Sequence, residues 1–70
     1  MSFFEFTQVM EKLGFGNGRA INDKDKGLFV CITGDQVITG RQSSNTVDIR
    51  KRRQGNFNRT DVTKEVALCQ

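Results

Sequence analysis

The sequence predicts an α+β fold: an N-terminal helix, an antiparallel meander of three to four strands, and a short C-terminal helix. Three observations predict it. Residues 3–13 carry apolar side chains at helical spacing. Residues 28–52 switch to short apolar or alternating runs, broken by glycines and polar turns. The tail then returns to a helical pattern, with Val62, Val66 and Cys69 on one face.

The first element has the clearest boundaries. Ser2 and Glu5 form an S-x-x-E capping box, in which each side chain satisfies a backbone amide near the other. Met1 and Phe6 stand where a hydrophobic staple needs them. Phe3, Phe6, Met10 and Leu13, with Val9 beside them, make one apolar stripe. Gly14 suits the left-handed residue just past the helix end, and Phe15 can fold back onto Val9 or Met10. A helix over 3–13 follows.

From there the period changes. "RAI" (19–21) reads as a short strand closed by the turn "NDKDKG". "LFVCIT" (28–33) is continuous, β-branched and aromatic, so it reads as a buried strand. Gly34-Asp35 fits a two-residue type II′ hairpin leading into "QVITGRQ" (36–42). Gly40 within that strand predicts a bulge or a close backbone approach. "SSN" turns again into "TVDIRKR" (46–52), and "QGN" is expected to end the sheet. Thr60 or Asp61 is the expected N-cap of the last helix.

Seventy residues make at most one domain, 1–70, with a core that supplies only about 3–5 kcal/mol. So little core favours self-association, and a homo-oligomer is one expectation. No apolar run approaches the roughly 20 residues of a membrane span, and the acidic start is not a signal peptide. Cys31 in an apolar run and Cys69 near the end of the chain read as reduced thiols, which places the protein in the cytoplasm.

The sequence argues against catalysis. Histidine is absent, and the two cysteines lie far apart with no zinc-type partner, so neither a metal nor a cofactor is expected. The eight carboxylates form no obvious pair. "GFGNGR" (14–19) imitates a phosphate loop, but such loops follow a strand and open a helix. Here a helix comes first, so the segment reads as a helix cap and a turn.

Charge is the informative feature. The chain carries a net +3, yet residues 41–59 hold six basic groups against the single acid Asp48. The remainder is net negative. In "IRKRRQGNFNR" (49–59), alternation sends Val47, Ile49 and Lys51 to one face and Asp48, Arg50 and Arg52 to the other. Arg50 and Arg52 would then stand about 6–7 Å apart on the solvent face, close to the phosphate repeat. Four consecutive basic residues repel one another, which a purely structural strand gains nothing from. Three of them are arginine, whose planar fork suits phosphate. Phe3, Phe6, Phe15 and Phe29 belong to the core and Phe4 is partly exposed, which leaves Phe57 to stack on a base or plug the sheet end.

The expected function is therefore nucleic-acid binding, to DNA or RNA, through the phosphate backbone. Arg50, Lys51, Arg52, Arg53 and Arg59 are the primary contacts, with Arg41, Asn56 and Phe57 secondary. The alternatives are a small inhibitor or adaptor of the mobile-element type, docking on an acidic surface of a larger host protein, or an oligomer that captures a phosphorylated small ligand. The helix–sheet–helix order resembles the double-stranded-RNA-binding domain in topology alone. That family carries small residues and a lysine pair where its last helix begins. Here the position reads "NRTDVTKE", so none of its residues is carried across.

Overall fold

Residues 1–69 are described in a computed structural model. The order is α1 (Phe3–Lys12), β1 (Arg19–Asp23), β2 (Leu28–Thr33), β3 (Gln36–Arg41), β4 (Thr46–Lys51), β5 (Phe57–Asp61) and α2 (Thr63–Ala67). The five strands form one antiparallel sheet in sequence order.

The first helix forms as its end signals require. Ser2 Oγ accepts from the Glu5 amide at 3.1 Å, and Glu5 Oε1 accepts from the Ser2 amide at 2.7 Å. At the other end Gly14 takes φ +91, while the Phe15 amide donates to the Met10 carbonyl at 2.7 Å and the Gly14 amide to Glu11. These two bonds satisfy carbonyls that the helix leaves bare.

The hairpin between β2 and β3 has the expected two-residue turn. Gly34 carries φ +55 and Asp35 stays out of the left-handed region, the type II′ pattern. Register then decides what Gly40 does. It pairs with Phe29 on one side and Val47 on the other with no bulge. A side chain there would place its Cβ 2.7 Å from Cδ1 of Phe6. The close approach was expected correctly and the bulge was not: α1 rests on the sheet at this glycine.

All the core lies on one face. Phe29, Cys31, Ile38 and Val47 from the sheet join Phe6, Val9 and Met10 from α1 and Val62 and Val66 beside them. Phe3, Phe6 and Phe29 make an aromatic trio with ring centroids 5.4–6.5 Å apart. Phe3 and Phe15 pack at its margin, as expected, and Phe4 is exposed. Both helices lie on this inner face. The outer face carries Ile21, Val30, Val37, Asp48, Arg50, Phe57 and Arg59, and no described element packs over it.

The end of the sheet departs from expectation. There are five strands, not three to four, because Phe57–Asp61 pairs with β4 rather than opening the last helix. Phe57, Arg59 and Asp61 alternate with Asn58 and Thr60, a period of two, and β4 would otherwise be a bare edge. Asp61 does not cap by the N-cap geometry. The N-cap position is Val62, and Asp61 Oδ1 accepts from the Thr63 amide at 2.8 Å. The helix that remains has five residues, held by buried Val62 and Val66 rather than by its own length. No helix among the described residues is long and apolar enough to cross a membrane.

Candidate nucleic-acid interface

Every residue from 50 to 59 is exposed. This run is the end of β4, a tight turn and the start of β5, so the basic segment becomes the tip of a hairpin. Arg50 lies on the outer face, cross-strand from both Val37 and Phe57. Phe57 keeps 52 % of its surface exposed. An aromatic ring is therefore presented beside an arginine on an open sheet, the arrangement that accepts a stacked base.

Arg52 is not where alternation placed it. β4 stops at Lys51, so Arg50 and Arg52 do not form a row along one strand. The Arg52 amide instead donates to the Asp35 carbonyl at 2.7 Å, which ties the tip to the neighbouring hairpin. The Gln54 amide donates to the Lys51 carbonyl at 3.2 Å, closing a turn in which Arg53 takes φ +68. That is the left-handed position of a type II turn, where glycine or asparagine is usual. Gly55 lies two residues later and does not fill it. Arg52 and Arg53 thus sit at the apex of the turn, and Lys51 ends β4 on the inner side, opposite Gln36.

Arg59 and Arg41 behave differently from these four. Arg59 lies directly opposite Asp48 and grips it through Nε at 2.9 Å and Nη2 at 3.5 Å. Arg41 reaches the same carboxylate at 3.9 Å. The hydrogen bond from Arg59 holds the Asp48 carboxyl below its ordinary pKa, with partial burial opposing and the charges of Arg59 and Arg41 assisting. The same pairing raises the pKa of Arg59. The Arg59 guanidinium also lies 5.5 Å from the Phe57 ring centroid and braces it. Arg59 and Arg41 were expected as anion contacts, but the single acid of the region engages both. Arg50, Lys51, Arg52 and Arg53 have no ion-pair partner among the described residues.

On the inner face, both helices cover the end of the sheet that carries Phe29, Gly40 and Val47. The other end is open and holds a cleft of about 180 Å³. Gln36, Ile49, Lys51 and Asn58 line it from the strands, Gln54 and Asn56 from the turn, with Arg50 and Phe57 at its margin. Asn56 thus belongs to the cleft rather than to the outer face. Gln36 is the one lining residue far from the basic segment that sequence reasoning missed. Its signal was present: in β3 it shares the face of Ile38, a polar residue at a core-facing position.

No protein-family model, curated protein sequence or solved structure matches the chain.

Proposed function

We propose that the chain binds nucleic acid through the phosphate backbone. Arg50, Lys51, Arg52 and Arg53 are the anion contacts, and Phe57 is a stacking ring beside them. One observation carries the reading: the only acid of residues 41–59 is engaged by Arg59 and Arg41, which leaves four consecutive cations exposed with no ion-pair partner among the described residues. Such a cluster is destabilising by itself and is relieved by a polyanion. The two free cysteines, one of them buried, suit a reducing cytoplasmic setting.

Anisotropy of labelled oligonucleotides titrated between about 50 and 200 mM salt tests this. Four neutralised phosphates give log K against log salt a slope of about −3.6 on duplex DNA and about −2.8 on a single strand. Replacing Arg50, Arg52 and Arg53 together by glutamine reduces the slope to about −1, and the thermal midpoint stays in place. Absence of binding at the lowest salt rejects the reading.

One observation favours a second reading, a small inhibitor or adaptor docked on a host protein. Ile21, Val30 and Val37 form an apolar strip on the outer face with no described element over it, and Ile21 is 41 % exposed. Its signature is one stoichiometric protein that co-purifies with the wild type and is lost with the triple variant.

A further inference from the structure

We infer that the cleft at the open end of the inner face is a pocket for one unstacked base of a single-stranded nucleic acid. The inference rests on the phosphate-binding reading above and adds what the hairpin tip recognises between phosphates.

The lining chemistry separates a base from a phosphate. Gln36, Gln54, Asn56 and Asn58 each present a carbonyl acceptor and an amino donor. A phosphate accepts hydrogen bonds and has no use for four carbonyl oxygens. The edge of a base mixes donors and acceptors and uses both halves of a carboxamide. None of these four side chains is engaged in a hydrogen bond with another described residue, so their bonding capacity is open to a ligand. Ile49, at the margin of the core, gives the cleft an apolar wall for the face of a ring. Lys51 adds a cationic donor for a keto oxygen of the base.

Size limits the occupant. At about 180 Å³ the cleft has room for one base of either ring type and little more. It is also well below the roughly 300 Å³ at which pockets for larger ligands begin. The base must be unpaired, because a duplex hides the edge that the carboxamides would read. Arg50 and Lys51 line the cleft and Arg52 and Arg53 follow them in the turn, so a strand held by these cations can turn a base inward at Asn56.

The test compares oligo-U, oligo-A and an abasic oligomer of the same length, roughly eight nucleotides, by fluorescence anisotropy at one low salt concentration, with the full chain. The wild type is expected to bind the base-bearing oligomers about tenfold tighter than the abasic one, the lower part of what a good base contact supplies. Gln36→Ala on the strand and Asn56→Ala in the turn should each narrow that difference severalfold by weakening the base-bearing oligomers alone. Two separate variants guard against a local folding defect in either. Equal affinity of the wild type for all three oligomers, together with a steep salt slope, overturns the pocket and leaves the phosphate-binding reading standing. A preference for the base-bearing oligomers that survives both substitutions also overturns it. Failure of every oligomer to bind rejects the phosphate-binding reading itself.

Discussion

The two faces of the sheet use the same strands for different ends. Over most of its length the inner face is apolar and covered, with Phe29, Cys31, Ile38 and Val47 buried under α1 and the Val62–Val66 pair, and only its far end, at Gln36, Lys51 and Asn58, is open. The outer face has no cover among the described residues, and its side chains run from apolar on β2 (Leu28, Val30 and Ile32) to largely charged on β4 and β5 (Asp48, Arg50, Arg59 and Asp61). Alternation along a strand lets one segment serve both, since neighbours point to opposite sides. In β4 Val47 anchors the core while Arg50 and Lys51 extend past its edge. Stability and the proposed binding are therefore expected to separate by position, which substitutions can test.

The largest effect belongs to the inner face. Phe6→Ala removes a fully buried ring that packs on Phe29, and should cost about 3–5 kcal/mol, enough to unfold much of a domain this small. Gly40→Ala should cost about 1–3 kcal/mol, because the new Cβ meets a buried ring that has little room to move. Phe57→Ala, on the outer face, should stay within about 0.5 kcal/mol of the wild type in urea titrations. It should weaken single-strand binding by about tenfold. A Phe57→Ala loss as large as that of Phe6→Ala would break the separation.

Two substitutions of about 1 kcal/mol sharpen it. Ser2→Ala removes the hydroxyl that satisfies the Glu5 amide and should lower the denaturant midpoint by about that much. Arg53→Gly should raise stability by about 1 kcal/mol, because glycine adopts φ +68 without the Cβ clash. The same change should weaken binding by one phosphate contact, so stability and affinity move in opposite directions. Such opposition is expected only where strain is kept at a functional position.

The smallest effect is the pH dependence of the Asp48 cluster. Its carboxyl titrates lower in the folded chain than in the unfolded one, so its contribution is present above the unfolded pKa of about 3.9. That contribution fades as the pH falls toward the lower folded value. Asp61, held down by its bonds from Thr63, has the same sign. Asp48→Asn should therefore lose less stability than the wild type when acidified from about pH 5 to pH 2. An unchanged acid limb would mean that solvent screens the Arg59 pair to no net effect.

What the amino-acid order determined by itself is local. The capping box, the apolar stripe and Gly14 delimit α1 to within one residue, because each signal acts within a turn of the helix. The β2–β3 hairpin is equally legible, since a two-residue glycine turn dictates the pairing on either side of it. The alternation of Val47 and Ile49 with Asp48 and Arg50 correctly assigned the two faces of β4. The rest waited on partners distant in sequence. Phe57–Asp61 became a strand because β4 offered an edge to pair with, although Val62 and Val66 carried helical spacing. Arg59 and Arg41 were withdrawn from the set of open cations because register set Asp48 against one and near the other. Gln36 joined Asn56 and Asn58 only through the pairing of β3, β4 and β5, which no short window contains. Backbone hydrogen bonds within a turn are written in neighbouring residues, whereas cross-strand neighbours are chosen when the chain closes on itself. The basic tip was readable as composition, and its geometry belonged to the tertiary structure.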